Sequence, residues 1–379
     1  MGIFKSLFGG KAKSEKTVQP SAKVEPAAKS VKKAPVVKPE TLKETALWAK
    51  ELSKLKAFPG LVTGTKEGGK EIHFLHPATG EKTAPPLVFP AEIQAYAVAP
   101  RKGLAATAEK DSRSIRIWDY QNGAEKGLLD RPEMVTALAW DEAQELLVVG
   151  HKDTRIAVIK VPSGEEIRSL AIPPETMGKV FEKPLESVSE VALSPDGMIL
   201  AGIMGEGVLA TWDLRENGNK VSLHLVPPNR FFGFRFSPDG RYLAAAAGSY
   251  KLAISFSVGQ NASVSLSETK GMLWLLDLQA GRSHSVSDTS FVMEDVFWTA
   301  DGKEILALAA VPPIMEGLSK QLHVYSTDAV VAGGQSPARK YMLGRGPLGG
   351  AAAHVAEDRA FYIVLGDKHL HTFSLPPSV

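Results

Sequence analysis

The sequence predicts an all-β protein in which four-stranded antiparallel sheets follow one another around an axis and close into a ring. Three observations carry this. First, a short unit recurs: an apolar strand, a turn such as Ser194-Pro195-Asp196-Gly197, Ser237-Pro238-Asp239-Gly240 or Thr299-Ala300-Asp301-Gly302, a small-residue strand, then a third strand ending at Trp118-Asp119, Trp212-Asp213 or Leu276-Asp277. Second, apolar residues alternate with period two, as in half-buried strands. Third, the last copy lacks an outer strand, while strand-like segments near the N-terminus are available to complete a circle. One copy cannot bury both faces of its sheet, so the copies must pack against each other.

The elements run in order from about residue 61. Leu61–Thr65, Ile72–His76 and Thr83–Val88 are the N-terminal strand candidates. A first complete copy follows in Ile93–Val98, Leu104–Ala108, Ile115–Trp118 and Glu125–Leu129. Further copies start at Val135, Val188, Phe232 and Met293, and the incomplete one at Ala351. In the turns, Pro presets φ at the first corner and Gly accepts a positive φ at the last.

The N-terminal region reads differently. Residues 1–57 carry 13 Lys and 5 Glu, a charge of +8, against −6 for the remainder. Residues 1–10 form a short amphipathic tip, with Ile3, Phe4, Leu7 and Phe8 on one helical face. Residues 11–40, rich in Lys, Ala, Pro and Val without an aromatic residue, are expected to be a disordered tether. Residues 41–57 are expected to be helical, because Thr41 and Glu44 have capping-box spacing and Trp48, Leu52 and Leu55 share a face. The ring then occupies 58–379.

At Ile115-Arg116-Ile117-Trp118-Asp119 and Leu209-Ala210-Thr211-Trp212-Asp213 the chain resembles the WD-repeat β-propellers and their degenerate relatives. The resemblance covers roughly residues 60–376. It implies a single β-propeller of four-stranded blades, and the strand tally favours seven of them, with six as the alternative. Ile159-Lys160 and Tyr325-Ser326 stand where a Trp-Asp pair belongs, and the family's Gly-His pair is missing. Its absence implies blades held mainly by apolar packing.

In such a ring, loops between second and third strands and links between blades open on one face. Three long connections fall there: 173–186, 249–270 and 311–319. The second alternates Leu252, Ile254, Phe256 and Val258 with smaller residues and reads as a protruding hairpin. Met177 and Phe181, Phe256 and Val258, and Ile314 and Met315 are the partner-binding candidates, since apolar residues on long loops over a rigid scaffold make binding surfaces. The alternative is that each loop packs on its own blade. Asp328–Ala338, on the other face, reads as a flexible loop.

Chemistry is less legible. The chain has no Cys, which excludes disulfides and thiolate metal sites. No cofactor, metal or catalytic residue is assigned. Gly64, Gly69 and Lys70 imitate a phosphate-binding loop, but Glu71 replaces the required Ser or Thr. His369 and His371 share a strand face without an implied third ligand. Glu190, Glu294 and Asp295, near the starts of inner strands, are the residues an inner-rim hydrolase or lactonase would use; otherwise they cap a channel. The expected function is a non-enzymatic, cytoplasmic, monomeric scaffold for protein partners. A peripheral membrane adaptor anchored by residues 1–57 to an anionic surface is a further alternative. Nucleic-acid binding is disfavoured, because the basic arm lacks stacking residues and the body is acidic.

Overall fold

The structure is a computed structural model that describes residues 38, 40–42, 44–48 and 52–377, apart from 67, 142–144, 174–184, 206, 216–219, 227–229, 256–262, 312–317, 347–351, 356–358, 366 and 368. Seven antiparallel sheets of four strands, one of them carrying an added parallel strand, follow each other along the chain. Their innermost strands are Ser53–Phe58, Ile93–Ala99, Val135–Asp141, Val188–Leu193, Arg230–Phe236, Val292–Trp298 and Ala352–Val355, which define blades 1 to 7. The inner strand of blade 7 packs against that of blade 1, so the ring closes. The protein is a seven-bladed β-propeller.

Seven apolar clusters fill the seven gaps between blades. Between blades 4 and 5, for example, Ala201, Leu209, Phe234, Ala245 and Trp274 interlock. Between 7 and 1, Leu52, Leu55, Val62, Tyr362 and Leu370 do the same. Alternation explains the division: residues 243, 245 and 247 of one strand face blade 4, while 244 and 246 face blade 6.

The three repeated turns lock the inner strands of blades 4, 5 and 6 to the strands that follow them in the same way. Ser194 Oγ donates to Asp196 Oδ1 at 2.5 Å and accepts from the Ile199 N–H at 2.9 Å, with Gly197 at φ 69°. Ser237, Asp239 and Gly240 repeat this, as do Thr299, Asp301 and Gly302. At the third-strand ends, Asp277 Oδ1 accepts from the N–H groups of Gln279 and Ala280, closing the turn to the outer strand.

Three expectations are corrected. The helix over 41–57 is instead two strands. Glu44–Trp48 is the outer strand of blade 7, antiparallel to Leu370–Ser374, and Ser53–Phe58 is the inner strand of blade 1. Leu52 and Leu55 do share a surface, but it is the gap between blades 7 and 1. Two short strands mimic a helical spacing here, and the partner of the first, Leu370–Ser374, lies at the other end of the chain while that of the second is the adjacent Leu61–Lys66. Leu61–Lys66, Glu71–Leu75 and Lys82–Val88 therefore complete blade 1, and the ring is closed by the segment before them. Glu40–Thr41 adds a short parallel strand to the outer edge of blade 6, and Leu42 is buried between blades 6 and 7. The propeller thus begins before residue 58. Finally, the loop read as flexible opens with a helix, Thr327–Val331, capped by Ser326 and anchored by buried Val330.

Candidate interaction face and central channel

One irregularity recurs at the same height in six blades. The register of the inner strand slips between Ser53 and Lys56, Ile93 and Ala95, Val135 and Ala137, Val188 and Glu190, Phe231 and Gly233, and Met293 and Asp295. Each slip is a β-bulge, which inserts a residue and re-aims its side chain. Lys54, Gln94, Thr136, Ser189 and Phe232 consequently line the channel near one face of the ring. Lys54 adopts φ 49° and donates to the carbonyls of Ile93, at 2.5 Å, and Gln94. Phe232 stays 40% exposed.

From this face blade 5 projects. Its second and third strands, Tyr242–Ser255 and Ser263–Asp277, stay paired as far as Ser255 with Ser263. The inner strand pairs only to Gly248 and the outer strand only from Gly271. The described residues beyond, 249–255 and 263–270, pair as a two-stranded arm where a hairpin is expected from the alternation. Its root has no space to spare: a Cβ on Gly248 would lie 2.6 Å from the Lys270 carbonyl oxygen and 3.4 Å from the Phe232 ring. Thr269 Oγ1 ties the root to the Thr289 carbonyl at 2.7 Å. Two residues past Gly248, Tyr250 lies on the same side of the sheet and is 38% exposed. Phe232 and Tyr250 thus flank the side of the arm that faces blade 6.

The channel, about 790 Å³, is crossed by a charged belt. Arg235 of blade 5 donates from Nη1 to Glu190 Oε1 of blade 4 at 2.5 Å and from Nη2 to Asp295 Oδ2 of blade 6 at 3.3 Å. It also lies over the Phe297 ring. Gly233 makes room for the pair, since a Cβ there would sit 2.7 Å from Asp295 Oδ1. Burial raises the pKa of both carboxyls, and Arg235 opposes the rise. Burial also works against the guanidinium, but Asp295 and Glu190 hold its pKa above the usual value. Opposite, the half-buried Lys56 of blade 1 places Nζ 5.0 Å from the Tyr96 ring centroid. Desolvation first, then Arg235, push its pKa down to about 8, with Glu190 opposing. Tyr96 is fixed by donating its hydroxyl to the Lys54 carbonyl at 2.5 Å.

The three acids named from sequence therefore separate. Glu190 and Asp295 meet through Arg235. Glu294 turns away, as the bulge residue of blade 6, and pairs with Lys320 at 2.5 Å; the two side chains are 6% and 0% exposed. Arg235 and Lys56 were not anticipated, although both sit in inner strands, where alternation could have placed them. His371 contacts Glu44 and Asp367. Among the described residues no group of His, Asp and Glu is arranged to hold a metal. Gly64 and Lys70 lie on neighbouring strands and the turn that joins them, with no helix to follow. Met177, Phe181, Phe256, Val258, Ile314 and Met315 lie outside the described residues, as do Ile3, Phe4, Leu7 and Phe8 and residues 1–37 as a whole.

Comparison with known proteins agrees with the repeat pattern. The family model described as the anaphase-promoting complex subunit 4 WD40 domain matches residues 112–181, which span the end of blade 2 and blade 3. Pre-mRNA-processing factor 19 of Oryza sativa subsp. japonica is 27% identical over 165 residues, 41% of this chain and 28% of that protein. WD repeat and SOCS box-containing protein 1 of Takifugu rubripes is 26% identical over 147 residues, 38% of this chain and 28% of that protein. The matches thus span little more than a quarter of either relative. Among solved structures, a chain of Kuenenia stuttgartiensis hydrazine synthase superposes with a TM-score of 0.64 over 92% of this chain and 100% of its own, at 14% identity. At that identity the likeness concerns the fold.

Proposed function

We propose that this chain, a WD-repeat-like β-propeller, is a non-enzymatic scaffold that holds protein partners on the face carrying 173–186, 249–270 and 311–319. The observation that supports it best is the arm of blade 5, with exposed Phe232 and Tyr250 beside its root. A two-stranded arm without sheet neighbours buries little of its own, so it adds nothing to ring closure and much to accessible surface. Aromatic residues contribute strongly to binding for a small entropy cost, and a rigid ring beneath them keeps that cost low. Glu190 and Asp295 share Arg235 and Glu294 pairs with Lys320, so the acids an inner-rim hydrolase would use are already engaged with cations.

Affinity capture from the native cell tests the reading, using the full chain, a form lacking 252–266, and Phe232→Ala/Tyr250→Ala. Loss of the same specific partners from both variants is expected. Retention of every partner by both, with the thermal transition unchanged, rejects this face.

A further inference from the structure

We propose that the arm of blade 5 takes up its partner as a third strand, an extended peptide segment with alternate apolar residues that adds along the edge of 249–255. This rests on the reading of the face as a partner surface and names how the partner is held there. The inner strand of blade 5 pairs with the second strand only as far as Arg230 with Gly248. From Ser249 to Ser255 the second strand pairs with the third alone, so its channel-side edge has no strand beside it among the described residues. The N–H and C=O groups along such an edge repeat at the spacing of a strand, and the ligand that matches them is an extended backbone. Lengthening the inner strand does not fill the place well, because Pro227 and Pro228 shortly before Arg230 have no N–H to donate. A two-stranded ribbon is marginal alone in water, and a third strand is what makes it stable.

This edge also differs from the outer edges of the blades. The outer strand of blade 2, Ala124–Asp130, carries exposed Glu125 and Lys126 and a bulge between Glu125 and Gly127, devices that blunt an edge. Along 249–255 the one charged residue is Lys251, which Glu268 holds across the arm at 2.9 Å. Exposed Phe232 and Tyr250 stand where the free edge begins, and Leu252 and Ile254 continue the alternation of Tyr250 in the sequence. That parity sets which residues of the incoming segment are apolar. The chain already completes one edge in this manner, since Glu40–Thr41 adds to the outer strand of blade 6.

The test uses the full chain and an array of octapeptides in which apolar and polar residues alternate. Hydrogen exchange is followed with and without the tightest binder. Exchange of 249–255 should slow by about tenfold or more, while Ala124–Asp130 is unchanged. Successive N–H groups of a strand point to opposite edges, so methylating the peptide nitrogens at one parity should weaken binding about tenfold and at the other parity hardly at all. Equal weakening at both parities, equal protection of both edges, or no peptide that protects 249–255 overturns the proposal. So does protection of 249–255 that grows with protein concentration in the absence of peptide, which would make a second copy the occupant. If partners are nonetheless lost from Phe232→Ala/Tyr250→Ala, the face remains the partner surface and only the added strand is rejected.

Discussion

Glu44 Oε1 lies 2.8 Å from Nδ1 of His371, joining residues 327 apart in the chain. The other ring nitrogen, Nε2, is 3.0 Å from Asp367 Oδ1. His371 therefore holds the strand that closes the ring to the strand it completes. Without that strand blade 7 would have only three strands, and the N-terminal segment would no longer be strapped to the C-terminal blade.

His371→Ala removes both contacts at the seam. Because Glu44 and Asp367 are both substantially exposed, the loss is expected to be modest, about 1 kcal/mol. Hydrogen exchange is the sharper readout. Leu370–Ser374 should exchange faster in the variant, while blades 3 and 4 stay protected. Uniform acceleration around the ring would show that His371 acts on the whole fold.

The repeat was legible because its marks are local. Ser-Pro-Asp-Gly needs only its own hydrogen bonds to form a turn, and a strand ending in Trp-Asp or Leu-Asp carries its turn acceptor with it. Closure was expected, but its segment was misread. Nothing local distinguishes Glu44–Trp48 as a strand, since its partner is Leu370–Ser374. The belt was half legible: Glu190 and Asp295 were named, whereas the role of Arg235 depends on three blades meeting at one height. The bulges that aim these side chains leave no mark in an alternating pattern except one extra residue.

Lys320 and Glu294 form a buried pair whose partners are interdependent. Burial lowers the Lys320 pKa and Glu294 raises it in opposition. Lys320→Met alone removes the cation from beside a carboxylate at 6% exposure, with an expected cost of about 3–5 kcal/mol. Adding Glu294→Leu should recover most of it, because the pair's desolvation penalty disappears with the pair. Denaturant titration of both singles and the double measures this; additive losses would mean that the pair is not coupled.

Gly271 has no room for a side chain. A Cβ there would lie 2.6 Å from Phe291 Cδ2 and 2.9 Å from the Phe291 carbonyl oxygen, and Phe291 is itself buried. Gly271→Ala is expected to cost about 1–3 kcal/mol and to loosen the root of the arm. Gly127→Ala is the control, with nothing within 4 Å of the added carbon. Denaturation midpoints that move equally for the two would contradict this packing.

Acid should weaken the ring through its buried histidines. Burial pushes the pKa of His224 to about 4, of His323 to about 3 and of His354 to about 4; Lys340 adds to the effect at His323 and Arg359 at His354. A histidine in the unfolded chain takes its proton near about 6.5. The folded pKa values are lower, so below that pH the unfolded state binds more protons and stability falls. The loss grows by at most about 1.4 kcal/mol per pH unit per histidine and levels off only once the folded forms protonate, near pH 3–4. Above neutral pH these groups contribute no slope. His323→Phe keeps the ring stacked edge-on against Phe291, whose centroid is 4.7 Å away, and removes one titrating site. Urea midpoints measured from pH 7.5 to 5 should fall for the parent chain and fall less steeply for His323→Phe. Parallel curves would mean that the His323 imidazole takes up its proton without unfolding.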